Sequence, residues 1–344
     1  MRPVSFVLST ALGFFIVAAA APAAASDRRP ASRTLAVTYT AAITNLPAEA
    51  QRIEAWIPLP RDDEDQRILD MRVDSPYPSE VTHDPDWGNA ILHVVAPPGR
   101  SAFTVRVHFT VERRESWHKP IPPVDPSDLA ALRTVFIRAL RPTRMAIQDE
   151  RVRAFARQAV EGRVQPDEQA RAIYDWVLAN MEYNKTVEGW GRGDVVRACL
   201  AIEAAGTGKD AGKGNCTDFH SLFGSLARSL GIPVKFIMGF PFTPGKDNPK
   251  GKVGGYHCWA KFFLPGAGWV PVDISEADKD PSKSDYFFGA ICENRVAFSV
   301  GRDILLTPPQ QGERLNYFGP DPYVEVDGQP HTHFTRSIAW TTPK

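Results

Sequence analysis

The hydrophobic pattern of the chain changes its period once, and that change limits the fold more than any other feature. From Arg33 to about Glu115 apolar residues alternate with polar ones, as in 102–111, which reads AFTVRVHFTV. Alternation places one face of a strand in a core and the other in water. After the proline-rich segment 118–126 (HKPIPPVDP) apolar residues recur at helical spacing instead. The pattern predicts an antiparallel β-sandwich at 27–117 and an α+β chain overall.

The first 26 residues have the composition of a secretory signal peptide. Arg2 precedes an apolar run at 4–20, and small residues follow it at 21–26. This order predicts cleavage near residue 26 and a periplasmic or secreted protein. An uncleaved anchor helix is the alternative. No later run reaches the roughly 20 apolar residues of a bilayer span, so we expect no membrane span after cleavage.

Charge and cysteine content argue against several kinds of partner. The chain has 40 Lys and Arg against 40 Asp and Glu, a balance that does not favour nucleic-acid binding. Neither a disulfide scaffold nor a zinc site is predicted from the four cysteines, which are Cys199, Cys216, Cys258 and Cys292. One disulfide among Cys199, Cys258 and Cys292 is left open. His331 and His333 share a strand face without a third ligand nearby, so no metal is predicted, and no cofactor is implied.

Beyond the linker the pattern predicts helices followed by strands. We assign 118–165 to a linker with helices and 166–344 to a second domain. Pro166 opens a helix, and a further helix begins at Cys216 and ends before Gly231, where a left-handed C-cap is expected. Four strands are predicted after it, at 234–239, 256–264, 269–273 and 323–326. A helix followed by an antiparallel sheet is an α+β arrangement.

Cys216 lies at a position that favours a reactive thiolate. Asn215 is a good N-cap residue, and Asp218 can complete a capping box. Cys216 is then the first residue of the helix, where unsatisfied N–H groups carry a partial positive charge. That field lowers the pKa of a thiol, more so when an imidazolium joins it. The backbone N–H of Cys216 is itself a candidate oxyanion donor.

A nucleophilic cysteine needs a base, and the base needs an orienting group. His257 heads a predicted strand, and Asp273 ends the next one. If Gly268 adopts the left-handed position of a three-residue hairpin loop, Leu264 pairs with Gly268 and Asp273 lies opposite residue 259. His257 and Asp273 are then diagonal neighbours on one face, about 7–8 Å apart along the backbone. A two-residue turn would place them on opposite faces.

These blocks resemble a known family. The stretches GNCTDFHSLFGSLARSLGIPVKFIMGF and HCWAKFFLPGAGWVPVD resemble the transglutaminase-like superfamily of papain-like cysteine enzymes, from roughly Pro166 to Phe298. The resemblance implies a helix carrying Cys216 packed on an antiparallel sheet that carries His257 and Asp273. It also implies that Cys216 is the nucleophile, His257 the acid/base and Asp273 the orienting residue. The β-rich N-terminus also resembles domains that precede this core in bacterial members.

Several alternatives accompany this assignment. Trp190 is the nearest candidate for the tryptophan that animal transglutaminases use as an oxyanion donor, although its surroundings do not match that motif. His220 is a competing base, interpreted instead as a packing or supporting residue. Cys258 is expected to face away from the site into the core. Three further acids follow Asp273 in a stretch expected to be a solvated loop: Glu276, Asp278 and Asp280.

The sequence therefore predicts an exported, cysteine-dependent acyl-transfer enzyme. Its triad would act on amide or peptide bonds through a thioester, as a protease or amidase or as a transamidase. The expected partner is a protein or peptide substrate, such as a component of the cell envelope. A catalytically silent binding module in the cell envelope is the alternative, because the superfamily also contains inactive members.

Overall fold

A computed structural model describes residues 30–209, 211–243 and 250–343. The predicted signal peptide at 1–26 lies outside these residues. Strands fill most of the first third of the chain, as the alternating pattern predicts. They are β1 (Ser32–Ile43), β2 (Ile53–Pro58), β3 (Gln66–Asp74), β4 (Ser79–His83), β5 (Ala90–Ala96), β6 (Phe103–Arg114) and β7 (Ser116–Trp117).

After the proline-rich segment the chain contains both helices and strands, beginning with four helices. The helices are α1 (Pro126–Ala131), α2 (Ile137–Leu140), α3 (Glu150–Val160), α4 (Pro166–Asn180), α5 (Val195–Ala205), α6 (Cys216–Ser229), α7 (Ile274–Lys279) and α8 (Ser284–Phe287). The strands are β8 (Met181–Tyr183), β9 (Gly212–Gly214), β10 (Val234–Pro241), β11 (Lys250–Lys252), β12 (His257–Leu264), β13 (Gly268–Val272), β14 (Ala290–Ile291), β15 (Arg295–Val300), β16 (Tyr323–Val326), β17 (Gln329–Pro330) and β18 (Phe334–Thr341). Among the described residues no helix is long and apolar enough to cross a bilayer.

Two five-stranded sheets share one apolar core in the N-terminal region. Their orders are β11-β18-β1-β6-β3 and β17-β16-β2-β5-β4. The alternation in β6 is seen directly, because Phe103, Val105, Val107, Phe109 and Val111 are all buried in this core. Burial of one strand face at about 25 cal/mol per Å² is the main favourable term in forming such a sheet.

The last strands of the chain belong to these N-terminal sheets. Strand β18 pairs with β1, and β16 pairs with β2. The sequence assigns both strands to the second domain, 166–344. Their pairing with β1 and β2 is not predictable from it, because the alternating pattern of a strand does not show which distant strand it joins. The apolar core is continuous with the next sheet as well, since Phe240 of β10 and Phe298 of β15 are buried in it.

A four-stranded antiparallel sheet has the order β13-β12-β10-β15. His257 begins β12, and Asp273 directly follows β13. Helix α6 packs against β12 and β10. Leu264 pairs with Gly268, whose φ of +76° is the left-handed value expected for the three-residue loop. Both the loop and the register predicted for this hairpin are confirmed.

The stretch that follows β13 is not a solvated loop. Asp273 caps α7 by accepting a hydrogen bond from the Glu276 N–H, and a short 3-10 helix and α8 follow. Ile274, Ser275 and Ala277 are buried. The loop part of the prediction for 276–285 was wrong, because the high charge of this stretch hides its helical turns. Its residues are nevertheless exposed or half-buried, apart from Ala277.

Candidate active site

Cys216 lies at the amino end of α6 with the cap that the sequence predicts. The Asn215 side chain accepts the Thr217 N–H at 2.8 Å, and the Asp218 carboxylate accepts the Asn215 N–H at 2.9 Å. Both halves of the capping box are therefore formed. Gly214 makes this possible, because a Cβ on it would lie 2.3 Å from an Asp218 carboxylate oxygen. The cap fixes Cys216 where the helix field favours an anion.

His257 joins Cys216 to Asp273. The His257 Nε2 and an Asp273 carboxylate oxygen are 2.7 Å apart. A carboxylate can only accept, so Nε2 carries the proton, which leaves Nδ1 free to pair with the Cys216 thiol. Cys216 and His257 are close enough to shift each other's pKa, so the structure brings the three predicted residues together.

The electrostatics of the three groups favour an ion pair. Burial by itself raises the pKa of the Cys216 thiol, but hydrogen bonds from Cys258 and His257 and the charge of His257 hold that pKa well below its ordinary value. Burial lowers the pKa of His257, yet the Asp273 carboxylate outweighs this and raises it to about 9. A thiolate beside an imidazolium is the state that these shifts describe.

Asp273 is held as an anion from several sides. Its carboxylate is fully buried, which would raise its pKa, but the charge and hydrogen bond of His257 hold the pKa well below the usual range. The Arg295 guanidinium also contributes, with Nε 3.7 Å from a carboxylate oxygen. The other oxygen accepts a hydrogen bond from the Ser275 hydroxyl at 3.2 Å. Sequence reasoning missed Arg295, because it lies on β15 and no local motif marks it.

His220 is not placed to serve as the base. Its Nδ1 donates to the Cys216 carbonyl oxygen at 2.7 Å, and its Nε2 accepts the Ile274 N–H at 3.0 Å. Both ring nitrogens are used by backbone groups, which fixes a neutral tautomer. Burial lowers the pKa of His220 and keeps it uncharged. The ring therefore joins α6 to α7 and supports the site, as the sequence interpretation expects.

Cys258 contacts the nucleophile, contrary to the prediction that it faces away. Cys258 and Cys216 belong to one small buried cluster with Phe236 and Met238. Strand alternation does place Cys258 opposite His257. However, α6 packs on the face of β12 that carries Cys258. Cys216, at the end of α6, therefore lies near Cys258 as well as near His257. All four cysteines are free thiols.

The loop before α5 is fastened to the same helix end. Asp218 accepts the N–H groups of Gly191 at 2.7 Å and Gly193 at 3.1 Å. Trp190 lies in this loop, but its side chain is 39% exposed and the Lys185 ammonium lies 5.7 Å from its ring. Its role as an oxyanion donor stays a prediction, as does that of the Cys216 N–H.

The thiol is closed from solvent in this conformation. Cys216 is 1% exposed and His257 4% exposed. Tyr256 packs over the helix end, where its hydroxyl accepts a hydrogen bond from the Asn215 amide at 2.8 Å, and Tyr317 packs beside it. A substrate larger than a small molecule therefore requires these rings to move.

The acids that follow Asp273 have other partners. Glu276 lies 3.2 Å from the Arg295 guanidinium, and Asp278 accepts the Tyr183 N–H at 2.9 Å. Asp280 pairs with Lys283 at 2.7 Å near the surface. The partners of Asp278 and Asp280 are therefore residues other than His257. Asp278 holds a strand end in place, so its replacement is not expected to be silent for stability.

The residues that the sequence considered for a metal have protein partners. The His331 ring donates to the Thr44 carbonyl oxygen at 2.8 Å, and the His333 ring lies 3.4 Å from the Asn45 amide nitrogen. Within 30–209, 211–243 and 250–343 no group of three His, Cys, Asp or Glu residues is arranged to hold a metal ion.

Comparison with known proteins agrees with this geometry. Residues 153–274, which contain all three triad positions, match the model of the transglutaminase-like superfamily. An uncharacterised protein of Haemophilus influenzae is 29% identical over 315 residues, covering 81% of this chain and 82% of the relative. An uncharacterised protein of Mycobacterium leprae is 23% identical over 287 residues, covering 81% and 92%.

A solved structure supports the fold. The crystal structure of a candidate cysteine protease from Cytophaga hutchinsonii matches with a TM-score of 0.59 at 16% identity, over 91% of this chain and 92% of the other. The superfamily match supports a cysteine-dependent enzyme in general terms. Residues 153–274 therefore form a transglutaminase-like domain, with a β-rich region on its N-terminal side.

Proposed function

We propose that this protein is a cysteine-dependent acyl-transfer enzyme that cleaves or transfers amide bonds through a thioester on Cys216. The observation that carries the proposal is the hydrogen-bonded pair of His257 and Asp273 beside Cys216, which lies at a capped helix end. Such an arrangement supplies a nucleophile, a proton carrier and an orienting anion within one buried site.

The acylation half of the reaction follows from the resting ion pair. The Cys216 thiolate attacks the carbonyl carbon of the substrate, and the C–N bond breaks after the tetrahedral intermediate forms. The imidazolium of His257 gives its proton to the departing amine. N–H groups at the amino end of α6 point toward the place where the oxyanion develops. Asp273 holds the ring in the orientation that makes this transfer possible.

The second half returns the enzyme to its resting state. His257 is now neutral and can take a proton from an incoming water or amine, which attacks the thioester. Water gives hydrolysis and an amine gives transamidation. The same residues serve both outcomes, so the acceptor is selected by whatever surrounds Cys216 once Tyr256 and Tyr317 have moved.

The substrate is proposed to be a protein or peptide. If the signal peptide predicted at 1–26 directs export, the accessible proteins are those of the cell envelope. The described surface of the domain carries both charge signs, as in the ion pairs of Arg151 with Glu203 and of Arg171 with Asp175. That mixture does not favour a nucleic acid, which requires a continuous basic surface.

Trapping of the thioester tests the proposed function. Purified protein is incubated with a cell-envelope protein extract, quenched rapidly in acid and analysed by peptide mapping. We expect an acyl group on Cys216 that hydroxylamine removes, and no such adduct in Cys216→Ala. Adding methylamine during the incubation distinguishes transamidation, which consumes the amine, from hydrolysis, which does not.

The same experiment addresses the alternative of a silent binding module. A module of that kind would retain an envelope component by non-covalent contacts, and Cys216→Ala would retain it equally. Retention without any adduct on Cys216, in wild type and variant alike, would show that the enzyme assignment is wrong.

A further inference from the structure

Cys258 is a buried thiol that the reaction above does not use. It is fully buried, and its sulfur lies 3.7 Å from the Thr217 hydroxyl and 3.9 Å from the His220 Nδ1. Thr217 follows Cys216 directly, and His220 donates to the Cys216 carbonyl. The Cys258 sulfur thus lies against the helix turn that carries Cys216, and both residues belong to one small buried cluster.

The pair is set apart from the other thiols of the chain. Cys199 is buried in the helical core, and Cys292 is half-buried near the start of β15. Neither belongs to the cluster formed by Cys216, Cys258 and their apolar neighbours. Two thiols in one buried cluster, one of them ionised, are what an intramolecular disulfide requires.

We infer that Cys258 is a resolving thiol for Cys216, so that oxidation of the nucleophile by a hydroperoxide ends in a reversible Cys216–Cys258 disulfide. The inference rests on the reactive thiolate of the proposed function. A hydroperoxide is the oxidant class that suits the site, because a small molecule can reach a thiol that is 1% exposed whereas a protein thiol oxidant cannot dock on it.

The chemistry balances in two steps. The Cys216 thiolate attacks a peroxide oxygen, the O–O bond breaks, and with one proton the products are a Cys216 sulfenic acid and water (or an alcohol). The Cys258 sulfur then attacks the sulfenic sulfur. An S–S bond forms, the S–O bond breaks, and the departing hydroxide takes the Cys258 proton as a second water. The sulfurs lose two electrons and the peroxide gains them.

The placement explains why the second step outcompetes further oxidation. A sulfenic acid without a neighbouring thiol proceeds to sulfinic and sulfonic acids, which thiol reductants do not reverse. Here the resolving thiol already lies in the same buried cluster as Cys216, so no second molecule has to enter the site. The disulfide removes the thiolate and stops acyl transfer, and a dithiol restores both thiols.

Peptide mapping after oxidation tests the inference. The full chain is treated with hydrogen peroxide, its free thiols are blocked, and its unreduced peptides are analysed. We expect a peptide pair joined through Cys216 and Cys258. Alkylation of Cys216 should be lost and then return to its untreated rate after dithiothreitol. Cys292→Ala, the matched control, should behave like wild type.

Replacement of Cys258 should change the product. In Cys258→Ala and Cys258→Ser we expect sulfinic and sulfonic acid on Cys216 and no recovery with dithiothreitol. Serine keeps a small polar group in the cluster, so it serves if alanine disturbs the fold. Equal recovery in both variants, or overoxidised Cys216 beside a free Cys258 thiol in wild type, would overturn the inference.

The two proposals fail in different ways. Rapid alkylation of untreated Cys216 without any disulfide after peroxide counts against the resolving thiol alone. A pH profile for alkylation of untreated Cys216 with the midpoint of an ordinary thiol counts against the proposed function, whatever the peptide map shows.

Discussion

Replacement of Cys216 by serine is expected to lower acyl transfer by at least about 10³-fold. A serine hydroxyl stays protonated beside an imidazolium, and so the variant has no nucleophile in its resting state. The change is nearly isosteric, hence the capping box of Asn215 and Asp218 should persist. Release of 4-nitrophenolate from 4-nitrophenyl acetate measures acylation directly, because this activated ester acylates reactive thiolates.

Cys292→Ser is the matched control for this change. Cys292 is half-buried and outside the cluster of the site, so its variant should release 4-nitrophenolate at the wild-type rate. Wild-type rates in Cys216→Ser would place the nucleophile elsewhere and contradict the account.

Asp273→Asn should lower kcat by about 10²–10⁴-fold with little change in KM. Asparagine can still accept the His257 N–H, but it carries no charge to stabilise the imidazolium. Arg295 would then lie 3.7 Å from a neutral group and would further disfavour that cation. Asp273→Ala loses the orientation as well, and it also removes the N-cap of α7, which costs about 1 kcal/mol of stability. It should be the slower variant and melt at a lower temperature.

Asp280→Ala is the control for the choice of carboxylate. Asp280 pairs with Lys283 near the surface and should be almost silent in both kcat and Tm. The same 4-nitrophenyl acetate assay serves for all three variants. A collapse of kcat in Asp280→Ala, beside wild-type values for both Asp273 variants, would mean that the orienting carboxylate is misassigned.

The parts of the site that follow local rules were predictable. The capping box depends only on Asn215 and Asp218, which are three positions apart in the sequence. The pairing of Leu264 with Gly268 follows from the loop length and one left-handed glycine. Together they position the thiol at a helix end and bring His257 near Asp273. Helical and alternating periods likewise located most elements, because each period reports which side of an element is buried.

The parts that depend on distant packing were not predictable. Arg295 reaches Asp273 only because β15 pairs with β10, and β18 joins β1 across almost the whole chain. Cys258 was assigned to the correct strand face but the wrong surroundings, since one sequence does not show which face of a sheet a helix covers. The hydrophobic period shows which face of a helix or strand is buried, but it does not show which other element covers that face.

The pH dependence of Cys216 alkylation by iodoacetamide tests the central claim most directly. Burial of the Cys216 thiol lowers the absolute alkylation rate at every pH. The midpoint of the pH profile, and not the rate itself, therefore reports the pKa of the thiol. With the pKa of the thiol held well below its ordinary value by His257, the wild-type rate should already be near its plateau at neutral pH. Acyl transfer, in contrast, should fall above about pH 9, where His257 loses its proton.

His257→Ala supplies the decisive comparison. Without the imidazolium, burial acts on Cys216 unopposed by that charge, and the pKa of the thiol should rise, so that alkylation at neutral pH slows and the profile moves to higher pH. The account predicts an early plateau in wild type and a displaced profile in His257→Ala. A wild-type profile with the midpoint of a free thiol, near ~8.5, and left unchanged by His257→Ala would contradict it.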